Sequence, residues 1–422
     1  MKYRHLLFGI LFMSSLSCGK QDKGANNHLI DISSAMQSIS DISISEFANE
    51  ISYVALETTD NSLIGNYPDV SVWGDKIVVS SLNQPLMVFD KNTGHFCNRI
   101  GHIGDDPEGL ATDGWGNIPF WIDQTNGTVY LRALGDNRLL RYRFDGTFLG
   151  SVTPVFRGLE VKNLSFYYFL ISNDIITAHN KYWDENNPYI FSFNALNGNI
   201  INTVSSIVKS FPHEIISVNY LYGENGAYIP FGGLGVYEFY YSDNRTARIV
   251  PNSPSVWEYK GQKYLKEPFI DIVYSIQGNL LEPSLTIDLG KWKWPYDKKL
   301  EQDNSIGSIS IDYMLENEHF IYFHLHSELY EKNRNAYCGF FNKKDGATKI
   351  MRGDAIIDDI HNFLPVTIRK VSPDGLFVGL VQVHTIMQWK EKNRNITLPP
   401  NIQSLFEKDI EDNPIVVIIQ SL

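Results

Sequence analysis

Cysteine is scarce in this chain: Cys18, Cys97 and Cys338 are the only three among 422 residues. None stands in a C-x-x-C spacing, which excludes zinc-ribbon and dithiol redox motifs. Positive charge is short as well. Lys and Arg number 36 against 48 Asp and Glu, the formal net charge is -12, and no Lys/Arg-rich block offsets it. Binding by phosphate neutralisation therefore has no basis, and nucleic acid is not expected as a partner. Long apolar runs are missing. Leu6–Met13 spans eight residues, well below the roughly 20 that cross a bilayer. Helical periodicity is weak everywhere except Asn401–Glu407, which has room for one or two turns. There is no G-x-S-x-G elbow, no Walker loop and no dinucleotide fingerprint. Gly232, Gly233 and Gly235 fall inside a strand-rich stretch, where they read as a bulge or a close backbone approach. No catalytic residue and no cofactor is assigned.

What is present is aromatic and β-prone. Tyr (23) and Phe (24) abound and hydrophobic content reaches 43%, enough for a sizeable core made mostly of strands. The chain starts with Lys2, Arg4 and His5, then the apolar run, then Ser14, Ser15, Leu16 and Ser17 ahead of Cys18. That order of charge, apolar core and small residues is a secretory signal. The cysteine directly after Leu16-Ser17 resembles the lipobox of bacterial lipoproteins. The resemblance implies a signal peptide over 1–17, a diacylglycerol on Cys18, and a membrane partner through that anchor. Residues 18–45 are polar and are expected to be a flexible tether.

From residue 46 a grammar of strand, turn and strand recurs. In GTVYLRALGDNRLLRYRFDGTFLGSV, from Gly127, three strands alternate with Gly135-Asp136-Asn137 and Asp145-Gly146 turns. Similar copies begin near Asp75, Asn173, Gly226, Glu318 and Asp374. They are spaced like four-stranded blades, apart from one wide interval. The reading is an all-β fold, a six-bladed β-propeller over 46–422. An insertion at 251–300 separates blades four and five. Ile51–Leu56 and Ile415–Ile419 are expected to meet in the last blade and close the ring, covering edges that would otherwise aggregate. Cys97 and Cys338 then fall on blades that are not neighbours, so two free thiols are expected.

Four stretches carry a wider likeness: Ile51–Ile64, Phe89–Leu110, Pro283–Pro295 and Glu411–Ile419. With the blades between them, the chain resembles the six-bladed propeller lipoproteins of Bacteroidetes and, more distantly, NHL and TolB-like propellers. The resemblance implies a place at the cell envelope, anchored to the outer membrane and facing either the periplasm or the exterior. It implies no shared activity. The Gly-Pro-Gly-Glu-Tyr stretch common in that family is replaced here by Gly104-Asp105-Asp106-Pro107-Glu108-Gly109-Leu110.

Three groups of residues are candidate sites. Trp257, Trp292, Trp294 and Tyr296, set beside lysines, could stack on sugar rings or a peptide, or could cap the fold. His324 and His326, two apart on a strand, share a face and suit metal ligation. His319, His361 and His384 are the candidates to complete that set. Asp105, Asp106 and Glu108 could hold a hard cation or be a solvated turn. Two functions follow. One is a binding or scaffold module for a glycan, peptide or protein partner. The other is a propeller-based carbohydrate-active enzyme, a polysaccharide lyase or hydrolase.

Overall fold

The computed structural model describes residues 29–110, 112, 116, 118–133, 137–156, 166–180, 188–207, 215–222, 236–242, 244, 246–249, 254–299, 305–331 and 334–422. The expected signal peptide over 1–17, Cys18 and the glycines at 232–235 lie outside them. Short strands and tight turns dominate the described residues, and one turn recurs. The Asp90 carboxylate accepts the backbone N–H groups of Asn92 (3.0 Å) and Thr93 (2.9 Å), while the Gly94 N–H closes on the Asp90 carbonyl at 2.8 Å. The same five-residue turn returns at Asp123–Gly127, Asn194–Gly198 and Asn342–Gly346. An Asp or Asn that bonds its own following backbone starts each turn, and the glycine ends it at positive φ.

Six units follow one another along the chain, four of them sheets of four strands and two of them sheets of five. The first is Asp69–Trp73, Lys76–Ser81, Gln84–Asp90 and Phe96–Ile100. The second runs from Phe120–Ile122 to Phe148–Val152, and the third from Phe166–Ser172 to Ile200–Val204. The fourth is Ser255–Tyr259, Gln262–Lys266, Ile272–Gln277 and Leu280–Asp288. The fifth is Ile309–Glu316, Phe320–Ser327, Asn335–Asn342 and Thr348–Arg352. The sixth joins Phe363–Val371, Phe377–Val381, Ile415–Ser421 and the early strand Ala48–Ala55, with Ala355–Asp358 as a fifth strand beside Phe363–Val371.

Each neighbouring pair of sheets shares one apolar cluster. Val88 and Leu131 meet between one and two, Leu139 and Ile176 between two and three, and Leu170 and Leu265 between three and four. Val273 and Phe323 meet between four and five, Tyr322 and Phe377 between five and six, and Val378 and Val70 between six and one. No blade can bury both faces alone, so the stacking must run full circle. The protein is an all-β six-bladed propeller.

The ring is closed by both ends of the chain. Ile51 pairs with Ile419, Tyr53 with Val417 and Ala55 with Ile415 in an antiparallel ladder. That is the closure expected from the sequence.

Two expectations need correction. Residues 29–45 are not a free tether. Leu29–Asp31 adds a fifth, parallel strand to blade four along Thr286–Asp288, and Ile32–Ala35 forms a helical turn. Ile30, Ile32, Ile42 and Ile44 are fully buried against blades four to six. These apolar residues are spaced widely among Ser and Asp, so the stretch reads as polar although its few anchors are all used.

Residues 251–300 are not an insertion between blades over their described length, because 255–288 form blade four itself. The Lys260-Gly261 hairpin turn that joins its first two strands has both residues at positive φ. It lacks the Asn-Gly or Asp-Gly signature that marks the other copies. The segment outside the ring is instead the three-stranded sheet Ile215–Tyr222, Val236–Tyr241 and Thr246–Ile249. It falls between blades three and four in sequence, and those two blades pack directly on each other. The start of the copy expected at Gly226 lies outside the described residues. A further difference is the α-helix Val383–Lys392, which replaces the end of an expected strand. The expected turns near 401–407 are present as Pro400–Gln403 and Ser404–Glu407.

Candidate functional site

Four polar residues alternate along two neighbouring strands of blade five. Ser310 and Asp312 belong to its first strand, His324 and His326 to its second. Ser310 is paired with His326, and Tyr313 with His324. The register shifts between Ile311 and Tyr313, so Asp312 is the extra residue of a β-bulge. Bulges re-aim side chains, and this one turns the carboxylate onto the histidines. Asp312 Oδ2 lies 2.7 Å from His324 Nδ1 and 2.5 Å from His326 Nδ1. All three side chains are buried, each under a tenth exposed. The Tyr313 ring stacks on His324 at 5.2 Å and 8°. Its hydroxyl donates to the Ile368 carbonyl of blade six at 3.0 Å, which fixes the stack from the next blade.

Burial pushes the Asp312 carboxyl up, but charge and hydrogen bonding from His326 and His324 outweigh it. The group is held well below the usual carboxylate range and stays ionised. Asp312 Oδ1 and Ser310 Oγ are buried without a hydrogen-bond partner among the described residues. Asp312, His324 and His326 are also the one group among the described residues in which three metal-type donors lie within 4.8 Å of one another.

A second buried polar group sits where blade four meets blade three. The Tyr189 hydroxyl donates to Glu267 Oε1, and Lys266 Nζ donates to the Glu267 carbonyl at 2.6 Å. Burial raises the Glu267 carboxyl to about 8, opposed by the Lys299 charge. Burial lowers Lys266 to about 8, opposed by Asp271, and lowers Lys299 to about 8, opposed by Glu267. His179, edge-on to Tyr189 at 4.8 Å, is lowered to about 3 by burial.

The residues singled out from sequence are distributed as follows. His324 and His326 do share a face, but their third partner is Asp312. His319 and His384 are exposed at other places, and His361 pairs with Asp358 at 3.2 Å. Asp105, Asp106 and Glu108 lie in the loop after blade one, away from the histidine pair. There Asp106 bonds His102 at 2.6 Å and caps the Glu108 N–H at 2.9 Å.

Two of the four aromatics are core residues. Trp257 is buried and donates its indole N–H to Glu316 at 2.6 Å. Trp294 is 1% exposed, packed edge-on against Phe269 and Tyr330. Neither offers a face to a ligand, because each packs inside and points its N–H at an internal acceptor. Trp292 and Tyr296 are half-buried, with Lys291 over the first ring at 4.6 Å and Lys299 over the second at 3.7 Å. Cys97 and Cys338 are free thiols, the first exposed and the second buried and raised to about 12 mainly by burial.

Sequence reading missed Asp312 and Ser310. The signal was available in the facing patterns Ile-Ser-Ile-Asp and Phe-His-Leu-His, in which polar residues alternate on both strands of one hairpin.

The fold defines this molecule as a six-bladed β-propeller that carries a buried cluster of polar side chains within one blade. The chain belongs to the family described as Domain of unknown function (DUF4934), which it matches over residues 28–420. No curated protein matches it. Among solved structures it resembles a Bacteroides fragilis protein described as exported, with a TM-score of 0.60 and 16% identity. That match covers 93% of this chain and 99% of the other. It also matches a DUF4221 family member from Bacteroides vulgatus, at a TM-score of 0.38 and 9% identity over 89% and 97% of the two chains. At these identities the first likeness speaks for the fold alone and the second carries no argument. No helix among the described residues is long and apolar enough to cross a membrane.

Proposed function

We propose that this protein is an exported binding or scaffold module, held by a lipid on Cys18 to the outer membrane of a Bacteroidetes-type envelope. The observation that carries the reading is how near Cys18 the ordered chain already joins the ring. The first strand among the described residues starts at Leu29 on the outer edge of blade four, eleven positions after Cys18. At about 3.6 Å per residue the link reaches at most about 40 Å. A ring leashed that closely works at a membrane surface, where its loops meet a glycan, a peptide or a protein partner. The exported description of the Bacteroides fragilis structure supports the same compartment.

Metabolic labelling with an alkyne fatty acid tests the anchor. The wild type should carry label and fractionate with membranes, and Cys18→Ala should do neither. Label on Cys18→Ala would overturn it. Binding is tested on glycan and peptide arrays with the mature chain and with Trp292→Ala/Tyr296→Ala. Loss of an array signal in the double variant supports the reading, and an unchanged signal removes that surface.

The convergence of Asp312, His324 and His326 favours the second reading, a carbohydrate-active enzyme. The binding reading is preferred because those side chains are buried inside the blade. Turnover of any polysaccharide, lost in His324→Gln, would reverse the order.

A further inference from the structure

We propose that Asp312, His324 and His326 bind one divalent first-row transition ion, zinc foremost, in the interior of blade five.

The donor set is two imidazoles and one carboxylate, the combination that suits zinc and its neighbours rather than calcium or magnesium, which prefer all-oxygen shells. The three donor atoms already converge within 4.8 Å. In tetrahedral zinc with bonds of about 2.0–2.1 Å, ligand atoms stand about 3.3 Å apart. The present N···O separations of 2.7 and 2.5 Å need to open by less than about 1 Å. A small rotation of the carboxylate achieves this.

Two further observations point to a ligand. Asp312 Oδ1 is buried with no partner among the described residues, although a carboxylate oxygen in such a place ordinarily accepts a hydrogen bond. Ser310 Oγ is likewise buried and unspent, and its residue sits directly across from His326 on the same face. With an ion in place, Oδ1 lies beside a positive charge, and the Ser310 hydroxyl can bond whatever fills the fourth position. The orientation is secured from outside by the Tyr313 ring on His324 and its hydrogen bond to Ile368. Such outer partners typically tune affinity 10–100-fold.

Coordination through Nδ1 requires each imidazole to be neutral with its proton on Nε2. This site does not depend on Cys18 or on any partner at the envelope.

The test uses the full mature chain, stripped with a chelator and titrated separately with Zn²⁺, Mn²⁺ and Co²⁺. Elemental analysis after desalting should return about one zinc per chain. Co²⁺ should produce the visible absorption of a low-coordinate nitrogen and oxygen site. His326→Gln and Asp312→Asn should each weaken zinc by at least about tenfold, whereas His319→Gln and His361→Gln should bind as the wild type does. Thermal midpoints with and without zinc guard against misfolded variants: zinc should raise the wild-type midpoint and leave that of His326→Gln unmoved. Below a tenth of an equivalent of each metal on a folded wild type, with no cobalt absorption, the proposal fails. It fails equally if His326→Gln and Asp312→Asn retain wild-type affinity.

Discussion

Asn413 and Ser62 are joined across 351 positions of chain: the Asn413 Nδ2 donates to the Ser62 carbonyl at 2.7 Å. The same amide donates to the Glu57 carbonyl at 2.7 Å, and its Oδ1 accepts the Ile64 N–H at 2.8 Å. One buried side chain thus satisfies three backbone groups of the loop after the first closing strand, immediately before the second closing strand begins. Asn413→Ala strands all three, at about 1–3 kcal/mol per buried group left unmade. The expected loss is about 3 kcal/mol or more, read as a lower urea midpoint. Asn413→Asp should do no better, since a carboxylate would face two carbonyl oxygens. A midpoint within about 0.5 kcal/mol of wild type in both variants would contradict this role.

Gly94 offers a second check on closure. Its φ is +73°, and an added Cβ would fall 2.1 Å from the Ala55 carbonyl oxygen. Gly94→Ala therefore combines a left-handed backbone penalty with a clash against the closing strand, for about 2 kcal/mol or more. Gly74→Ala is the control, with a φ of +56° and nothing within 4 Å of the added atom. Its cost should be about 1 kcal/mol, the backbone term alone.

Trp294 and Trp292 should separate cleanly. Trp294→Ala empties a packed site between Phe269 and Tyr330 and should cost about 3–5 kcal/mol. Trp292 is half-buried, so Trp292→Ala should cost less than half as much. Thermal denaturation of both variants decides it. Equal losses would show that Trp292 is a core residue too.

Stability should pass through a minimum near pH 8. Glu267, raised to about 8 in the folded chain, binds a proton that the unfolded chain releases near 4.3, so stability falls as pH rises between those values. Lys266 and Lys299, lowered to about 8, have given up protons that the unfolded chain keeps to about 10.4. Stability therefore climbs again from about pH 8 to 10. Urea midpoints at pH 5, 6.5, 8 and 9.5 should trace this shape, and Glu267→Gln should flatten the descending limb. An unchanged descending limb in Glu267→Gln would assign the slope elsewhere.

The architecture was legible because its signals are local. Asp90–Gly94, Asn194–Gly198 and Asn342–Gly346 each bend the chain through five residues, and the strands between them alternate visibly. Closure could be foreseen because Ile51–Leu56 and Ile415–Ile419 are strand-like apolar stretches at opposite ends of the repeating region. Blade four was hidden because Lys260-Gly261 turns the chain without the usual Asn-Gly or Asp-Gly pair. The ordered start was hidden because Ile30, Ile32, Ile42 and Ile44 are each isolated among polar neighbours. In the candidate site, the histidine pair follows from a spacing of two. Asp312 alternates visibly with Ser310, but no pattern within one strand shows that a one-residue bulge turns its carboxylate onto the histidines of the next strand. Trp257 and Trp294 misled for a related reason: composition reports that an aromatic is present, whereas only packing reports which way it points.

The ladder between Ala48–Ala55 and Ile415–Ser421 also sets the order of events during synthesis. The early strand emerges hundreds of residues before its partner. Until then blade six lacks its third strand, and the waiting strand has an unpaired edge. A stop codon at Ile415 would release a chain that holds every earlier strand and cannot close the ring. Quality control should therefore treat such a product as unfolded.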